Sequence, residues 1–166
     1  MSGDRWRDTF EAEQQRLWQS LWAHTGDADL ASDAVAEAFA QGLRRGDAVR
    51  DPAAWVWRSA FRIANGLLAQ RRHRRAHDAL VDARSDPMVA ASDDLVLLLD
   101  MLGRLSERDR EVIVLALVGG FDAREIGARL GIGAGAVRVR LHRARKRVQG
   151  QWIDEPAIQR DEGSAS

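Results

Sequence analysis

Apolar residues recur at helical spacing in successive segments of the chain, and glycines, prolines or acidic clusters separate these segments. The first segment predicts an amphipathic helix that ends near Gly26. Its apolar positions are Phe10, Leu17, Trp18, Leu21 and Trp22. The second segment predicts a helix that ends at Gly46, with three polar residues opposite its apolar side: Asp33, Glu37 and Gln41.

The third segment begins with Asp51 and Pro52, which are favoured at the N-cap and at the first position of a helix. This helix is predicted to run to about Arg75. Its apolar line is Val56, Ala60, Ile63 and Leu67, and the residues on the opposite side are Arg58, Arg62, Asn65 and Arg72. Residues 78–94 then lose the helical pattern, contain Pro87 and are rich in aspartate, which predicts a linker.

A second group of helices follows the linker. Residues 95–105 form a short, strongly apolar segment, and residues 107–118 form the next helix, with Ser106 and Asp109 resembling a capping box at its start. The last residues of the chain are polar. The pattern therefore predicts an all-α fold of two small helical domains, residues 1–77 and 95–153. A flexible linker over 78–94 joins them, and a disordered tail over 154–166 follows.

The segment after Gly120 has the features of a helix-turn-helix. A short helix begins with a capping-box pair and a hydrophobic staple, formed by Asp122 with Glu125 and by Phe121 with Ile126. Gly131 stands where a left-handed residue ends this helix, and a second helix begins near Ala134. Gly127 is small enough to let the two helices approach each other.

The second helix of this motif is basic and has two distinct faces. One face is apolar and is predicted to pack in the core: Val137, Leu141, Ala144 and Val148. The opposite face could enter the major groove of DNA and consists of Gly135, Val139, His142, Arg143 and Lys146. The flanking arginines suit phosphates or acidic partners: Arg138, Arg140, Arg145 and Arg147. The alternative is an ordinary solvated surface helix.

Charge is balanced overall but unevenly distributed. The 166 residues include 25 basic and 25 acidic side chains, for a formal net charge of zero. Residues 58–75 contain six arginines and residues 138–147 contain five arginines and Lys146, and neither range contains an acid. Two basic segments on an otherwise acidic chain indicate two contacts with one polyanion, although two solvated helix faces would give the same pattern.

Other functional classes find little support in the composition. The chain has no cysteine, which excludes disulfides and thiolate metal sites. His73 and His77 have a spacing that suits zinc, but no third ligand is evident, so we expect neither a metal nor a cofactor. No nucleophile with a base and no paired-carboxylate site is apparent, so we do not expect an enzyme. A charged N-terminus and the lack of a long apolar stretch predict a cytoplasmic protein without a membrane contact.

Two segments of the chain resemble the extracytoplasmic-function (ECF) sigma factors. Residues 33–43, DAVAEAFAQGL, resemble the family's D-L-V-Q-E-x-F-x-R-A-W segment and lead through Trp55–Arg58 to the arginine run at 71–75. A second run of the family has three pieces: L-P-x-x-x-R-E-V, E-I-A-x-x-L-G-I and V-K-S-R-L-H-R-A-R. These pieces resemble, in that order, residues 105–112, 125–132 and 137–145. Together these segments account for nearly the whole predicted folded chain.

This resemblance implies a factor that binds core RNA polymerase and directs promoter-specific initiation. The first domain would dock on the clamp helices of the largest polymerase subunit and melt the downstream promoter element. The clamp-contacting positions would be Asp33, Glu37 and Gln41. The second domain would dock on the flap of the second-largest subunit and contact the upstream element. An anti-sigma factor is a further partner that the family implies.

The resemblance and the helix faces together assign the DNA contacts. The upstream element is predicted to contact Arg138, Val139, His142, Arg143 and Lys146, and the DNA backbone Arg140, Arg145 and Arg147. The downstream element is predicted to contact Arg58, Phe61, Arg62, Arg71 and Arg72. Phe61, Trp55 and Trp57 could stack on unpaired bases, but tryptophans on a helix are also common core residues.

Two other functional classes fit parts of the pattern. A one-piece repressor or activator with a C-terminal helix-turn-helix would need a dimer interface and a palindromic operator, and no sustained heptad seam is visible. An anti-sigma or adaptor protein would bind polymerase or sigma without DNA, which the basic helix argues against. Binding to core polymerase with start-site-specific transcription distinguishes the sigma factor from both.

Overall fold

A computed structural model describes residues 2–77 and 93–154, apart from the side chains at positions 2, 77 and 151–154. Most of the predicted linker, the predicted tail after residue 154 and the side chain of His77 therefore lie outside the described residues. The predicted domain limits stay a prediction. The following description concerns the helices on either side of the linker.

The described residues form seven α-helices, one short 3-10 turn and no strand, which confirms the predicted all-α class. The elements are α1 (Ser2–Thr25), α2 (Ala28–Arg45), the 3-10 turn (Gly46–Ala48), α3 (Pro52–His77), α4 (Asp93–Gly103), α5 (Glu107–Leu117), α6 (Ala123–Leu130) and α7 (Ala134–Asp154). We call α1–α3 the N-terminal domain and α4–α7 the C-terminal domain.

The helices of the N-terminal domain begin and end where local chemistry favours it. The Asp27 carboxylate accepts the Leu30 N–H at 2.8 Å and caps α2. Asp51 accepts the Ala54 N–H at 3.0 Å at the start of α3, as the sequence predicts. Gly46 ends α2 with a positive φ of 54°. The three helices pack around a buried core that includes Leu17, Leu21, Leu30, Ala34, Ala38, Val56 and Ala60.

The predicted helix-turn-helix is present in the C-terminal domain. Asp122 and Glu125 form a reciprocal capping box at the start of α6, with distances of 2.9 and 2.8 Å. Gly131 ends α6 in the left-handed conformation, with φ at 71°. A Cβ at Gly127 would lie 2.6 Å from the Ile132 carbonyl oxygen, so the close approach of α6 to the turn requires glycine there. α7 then begins at Ala134.

The two domains pack against each other, a feature that the sequence pattern does not predict. Trp57 of α3 and Phe121, which precedes α6, meet edge to face with centroids 4.9 Å apart. The guanidinium carbons of Arg16 and Arg129 lie over the Phe121 ring, 4.6 and 3.6 Å from its centroid. One continuous cluster of buried residues therefore runs through both domains.

Gly42 tests the packing of the N-terminal domain. A Cβ at this position would lie 2.3 Å from Cη2 of Trp6, a buried ring held edge to face against Phe39 and Trp55. We expect Gly42→Ala to lower the free energy of unfolding by about 1–3 kcal/mol, the usual cost of overpacking. The measurement is urea unfolding of the purified chain.

The matched control is Gly66→Ala on the exposed side of α3, where an added Cβ meets no atom within 4 Å. This change should raise stability by about 0.5–1 kcal/mol, because alanine suits a helix interior better than glycine. Equal unfolding midpoints for the two variants would contradict the packing of Trp6 on Gly42.

Candidate nucleic-acid interface

α7 presents its basic side to solvent because its apolar side is held in the core. Val137, Leu141 and Ala144 are buried and Val148 is partly buried, which confirms the predicted core face. The side chains on the other faces are exposed at Arg138, Val139, His142, Arg143, Arg145, Lys146 and Arg147, and Arg140 is half-buried. Val139 is 64% exposed, so an apolar contact is available among the cations.

Within the part of the chain that the structure describes, Arg143 is the one residue of this face with a side-chain ion pair to another helix. Its guanidinium meets the buried carboxylate of Asp109 on α5, with the closest contact, from Nη2 to Oδ1, at 2.6 Å. The hydrogen bonds from Arg143 hold the pKa of Asp109 below its usual value. The sequence does not predict this contact, although Asp109 was expected to take part in capping α5.

The basic side of α3 is partly occupied by contacts within the chain. Arg58 donates from Nη2 to the Ala128 carbonyl of α6 at 2.8 Å. Arg71 forms an ion pair with Asp27, and Arg72 forms one with Glu107 at the start of α5. Arg62 is exposed. Two of the four arginines predicted to contact DNA thus bind the C-terminal domain instead.

Phe61, which was predicted to stack on bases, is not accessible in this arrangement. Phe61 is only 2% exposed and packs in the core between Trp57 and His24, with centroid distances of 6.3 and 5.2 Å. Trp57 is fully buried as well, and its Nε1 donates to Glu13 at 2.8 Å. On a helix wheel Phe61 flanks the basic stripe, but His24 of α1 packs against its ring. Trp55 is half-buried and packs edge to face on Trp6.

A chain of polar groups, buried at His24 and partly buried at Asn65 and Glu111, crosses from one domain to the other. His24 Nε2 lies 2.7 Å from Oδ1 of Asn65, and Asn65 Nδ2 donates to the Glu111 carboxylate of α5. Burial lowers the pKa of His24 to about 4 and raises the pKa of Glu111 above its usual value. Asn65 was predicted on the polar side of α3, and the structure turns that side toward the second domain.

The three acidic and polar residues predicted on α2 lie where the pattern places them. Asp33 and Glu37 are exposed and Gln41 is half-exposed. The Glu37 carboxylate accepts hydrogen bonds from Gln41 at 2.9 Å and from Arg44 at 3.1 Å. These contacts hold the pKa of Glu37 below its usual value, and the hydrogen bond from Gln41 has the largest effect. Beside them, α1 and α2 enclose an open groove of about 470 Å³. Its lining residues are Phe10, Gln14, Gln15, Trp18, Ser32, Val35 and Ala36.

Comparisons with known proteins place this arrangement in a family. Residues 95–148, which span α4 to most of α7, match the family described as Sigma-70, region 4. The chain is 30% identical over 151 residues to the ECF RNA polymerase sigma factor SigL of Mycobacterium tuberculosis, covering 83% of each chain. It is 31% identical over 156 residues to the RNA polymerase sigma factor CarQ of Myxococcus xanthus, covering 88% of each.

The chain belongs to the ECF sigma factor family. Sigma factors bind core RNA polymerase and direct it to promoters, and the helix-turn-helix of this sigma factor lies within the matched region. The resemblance described from the sequence is thereby confirmed.

Solved structures agree on the fold. The sigma factor superposes with a TM-score of 0.69 on CnrH, solved in complex with the cytosolic domain of CnrY, at 24% identity over 91% of this chain and 89% of that one. The score is 0.66 for the sigma factor RpoE of Bartonella quintana, solved with the anti-sigma factor NepR, at 23% identity over 90% and 98% of the chains. Within the described residues of this sigma factor, no helix is long and apolar enough to cross a membrane.

The buried His24 predicts a pH dependence of stability. The unfolded chain takes up a proton near the ordinary value of 6.5, whereas the folded chain resists it down to about 4. Neutral His24 therefore makes its full contribution to the free energy of unfolding above about pH 6.5. This contribution, roughly 3 kcal/mol, is lost as the pH falls toward 4. Glu111 acts in the opposite sense, because its raised pKa favours the folded state as the pH falls.

Replacement of the imidazole isolates this contribution. His24→Gln keeps an N–H donor near Asn65 but cannot titrate, so its unfolding free energy should fall less between pH 6.5 and 4 than that of the unchanged sigma factor. His142→Gln, at an exposed position of α7, should leave the slope unchanged. Denaturant unfolding at a series of pH values measures both, and parallel curves for His24→Gln and the unchanged chain would contradict the assignment.

Proposed function

We propose that α7 contacts the bases of the upstream promoter element through Arg138, Val139, His142, Arg143 and Lys146. The observation that carries this proposal is the exposed, basic side of α7 within a capped helix-turn-helix. Arginine and lysine can donate hydrogen bonds to the O6 and N7 atoms of guanine, and the exposed Val139 side chain can make an apolar contact with the methyl group of thymine. Arg140, Arg145 and Arg147 lie on the flanks, where contacts with the DNA backbone fix the position of the helix.

The downstream element is proposed to contact α3 through Arg58, Arg62, Arg71 and Arg72. Phe61 is left out of this set because it is buried. In the packed arrangement, Arg58 and Arg72 bind groups of the C-terminal domain and compete with DNA for the same donors. Contact with the downstream element and its melting would therefore require the domains to separate. Binding to core polymerase, through a different site on each domain, is a suitable cause of that separation.

The polymerase clamp is proposed to bind α2 through Asp33, Glu37 and Gln41. The support is a physical one: two exposed acids of α2 lie near a groove between α1 and α2 whose lining includes the apolar side chains of Phe10, Trp18 and Val35. A basic amphipathic helix would place its apolar side in such a groove and its cations on Asp33 and Glu37. The C-terminal domain is proposed to dock on the flap of the second-largest subunit, as the family implies.

Three further properties follow from this role. An initiation factor acts beside the chromosome, so we place the sigma factor in the cytoplasm. It directs the polymerase and carries out no reaction of its own, so it is not an enzyme. An anti-sigma factor is a proposed partner, and the support is that RpoE of Bartonella quintana was solved with one.

Run-off transcription with purified core polymerase over a promoter library tests the proposal. The sigma factor should bind core polymerase and give transcripts with defined start sites that share one upstream sequence. A duplex-binding regulator would instead retain DNA without polymerase and give no new start sites. An adaptor protein would bind polymerase without selecting any promoter.

Charge reversal on α2 tests the clamp contact. Asp33→Arg with Glu37→Arg should reduce core polymerase binding by at least about 100-fold, because two attractive contacts with a basic partner become repulsive. Both side chains are exposed, so the helical content should not change. A pull-down with core polymerase and circular dichroism measure the two quantities.

The charge-matched control is Asp94→Arg with Asp100→Arg, two exposed acids of α4. This variant changes the net charge by the same amount and should bind polymerase as the unchanged sigma factor does. Equal loss of binding in both variants would show a general charge effect, and undiminished binding of the α2 variant would remove the clamp assignment.

A further inference from the structure

Asp109 and Arg143 form an oriented ion pair between α5 and α7. Nε of Arg143 donates to Oδ1 and Oδ2 of Asp109 at 3.1 and 2.9 Å, and Nη2 donates to Oδ1 at 2.6 Å. The Asp109 side chain is 2% exposed, whereas the Arg143 side chain is 52% exposed. The carboxylate is thus fixed in the domain, and the arginine extends from it toward solvent.

This geometry leaves a defined edge of the guanidinium unused. An arginine has five N–H donors, and the pair with Asp109 uses the one on Nε and one of those on Nη2. Among the residues that the structure describes, the two donors on Nη1 and the second donor on Nη2 have no hydrogen-bond partner. Guanine presents two acceptors, N7 and O6, to the major groove, and a bidentate contact needs two adjacent donors. The free edge of Arg143 supplies them.

The pair also changes what Arg143 contributes to binding. A lone arginine attracts any phosphate, which raises affinity for all DNA sequences and makes that affinity depend on salt. Paired with Asp109, Arg143 belongs to a group with no net charge, so its sequence-independent attraction is weak. Its side chain is also ordered before DNA arrives, which reduces the entropy lost on forming a directed contact.

We propose that Asp109 is a positioning residue for promoter recognition, which holds Arg143 so that its free edge contacts one base of the upstream element. The inference rests on the proposed function of α7. It differs from two simpler roles for Asp109. In one, the pair only fastens α5 to α7 and contributes stability. In the other, Asp109 withholds Arg143 from DNA.

The experiment measures base preference with the full-length sigma factor bound to core polymerase. A promoter library with every base at each upstream position is used with the unchanged chain, Arg143→Ala and Asp109→Asn. Arg143→Ala should reduce discrimination at one base pair by about 10-fold and thereby identify the contacted position. Asp109→Asn, which keeps the size but not the charge, should reduce discrimination at that same base pair by a similar factor.

Salt dependence supplies an independent measurement. Asp109→Asn leaves Arg143 as an uncompensated cation, so the affinity of the holoenzyme for DNA lacking the preferred base should become more salt-dependent. We expect the slope of log affinity against log salt to steepen by about one unit. Loss of discrimination combined with a steeper slope is not expected from a change in stability alone.

Val114→Ala controls for stability, because it shortens a buried side chain of α5 and leaves Asp109 and Arg143 in place. This variant should melt at a lower temperature and keep its base preference. If Asp109→Asn does not fold, Asp109→Glu takes its place. Asp109→Glu keeps the negative charge but moves the carboxylate one methylene further from the backbone. This variant should lower discrimination at the same base pair without changing the salt slope.

Any other result contradicts the proposal, and each such result shows which part of the proposal is wrong. If Arg143→Ala changes preference at no base pair, both the contact by Arg143 and its positioning are wrong. If Arg143→Ala changes the preference and the Asp109 variants do not, the contact stands and the positioning role fails. Tighter binding with unchanged preference in Asp109→Asn would show that Asp109 withholds Arg143.

Discussion

The edge-to-face contact between Trp57 and Phe121 is the interaction on which the arrangement of the two domains depends. Both rings are buried, and the guanidinium groups of Arg16 and Arg129 lie over the Phe121 ring. Neither arginine Nε has a hydrogen-bond partner in the described residues, and burial lowers the pKa of Arg129. The favourable contact of cation with ring offsets part of that desolvation, and the nearby Glu13 favours the charged form of Arg129.

This contact determines which DNA-facing groups are accessible. It brings α3 against α6, so that Arg58 reaches the Ala128 carbonyl and Asn65 reaches Glu111. Among the described residues, the hydrogen bonds, ion pairs and ring contacts between the domains involve none of the exposed side chains of α7. In the packed sigma factor, the residues proposed to contact the upstream element are therefore exposed. Two of the residues proposed to contact the downstream element are bound to the C-terminal domain. Under the proposed function, contact with the downstream element therefore requires the domains to separate, whereas contact with the upstream element does not.

The sequence predicted the local structure well because local signals determine it. The capping pair of Asp122 and Glu125, the left-handed Gly131 and the apolar line through Val137 act within a few residues of one another. These features specified the helix-turn-helix and the accessible side of α7. The polar side of α2 was predicted for the same reason.

The contacts between domains could not be predicted in this way. A helix wheel distinguishes an apolar side from a polar one, but it does not say whether a second domain covers the polar side. Asn65 and Arg58 therefore resembled solvent-facing residues, and Phe61 resembled a flanking aromatic available to bases. The pairing of Asp109 with Arg143 joins residues 34 positions apart, and no pattern within either helix indicates it. The roles of these residues could not be predicted because the contacting residues lie far apart in the chain, although their chemistry suits the contacts.

The distance between the domains, in the free sigma factor and on core polymerase, tests this account most directly. The chain has no cysteine, so Ala28→Cys on α2 and Gln149→Cys on α7, both at exposed positions, can carry a pair of nitroxide labels. Double electron–electron resonance should give one narrow distance distribution for the free sigma factor and a longer distance once core polymerase is added. A broad distribution in the free chain, or an unchanged distance on polymerase, would contradict the closed arrangement and its opening.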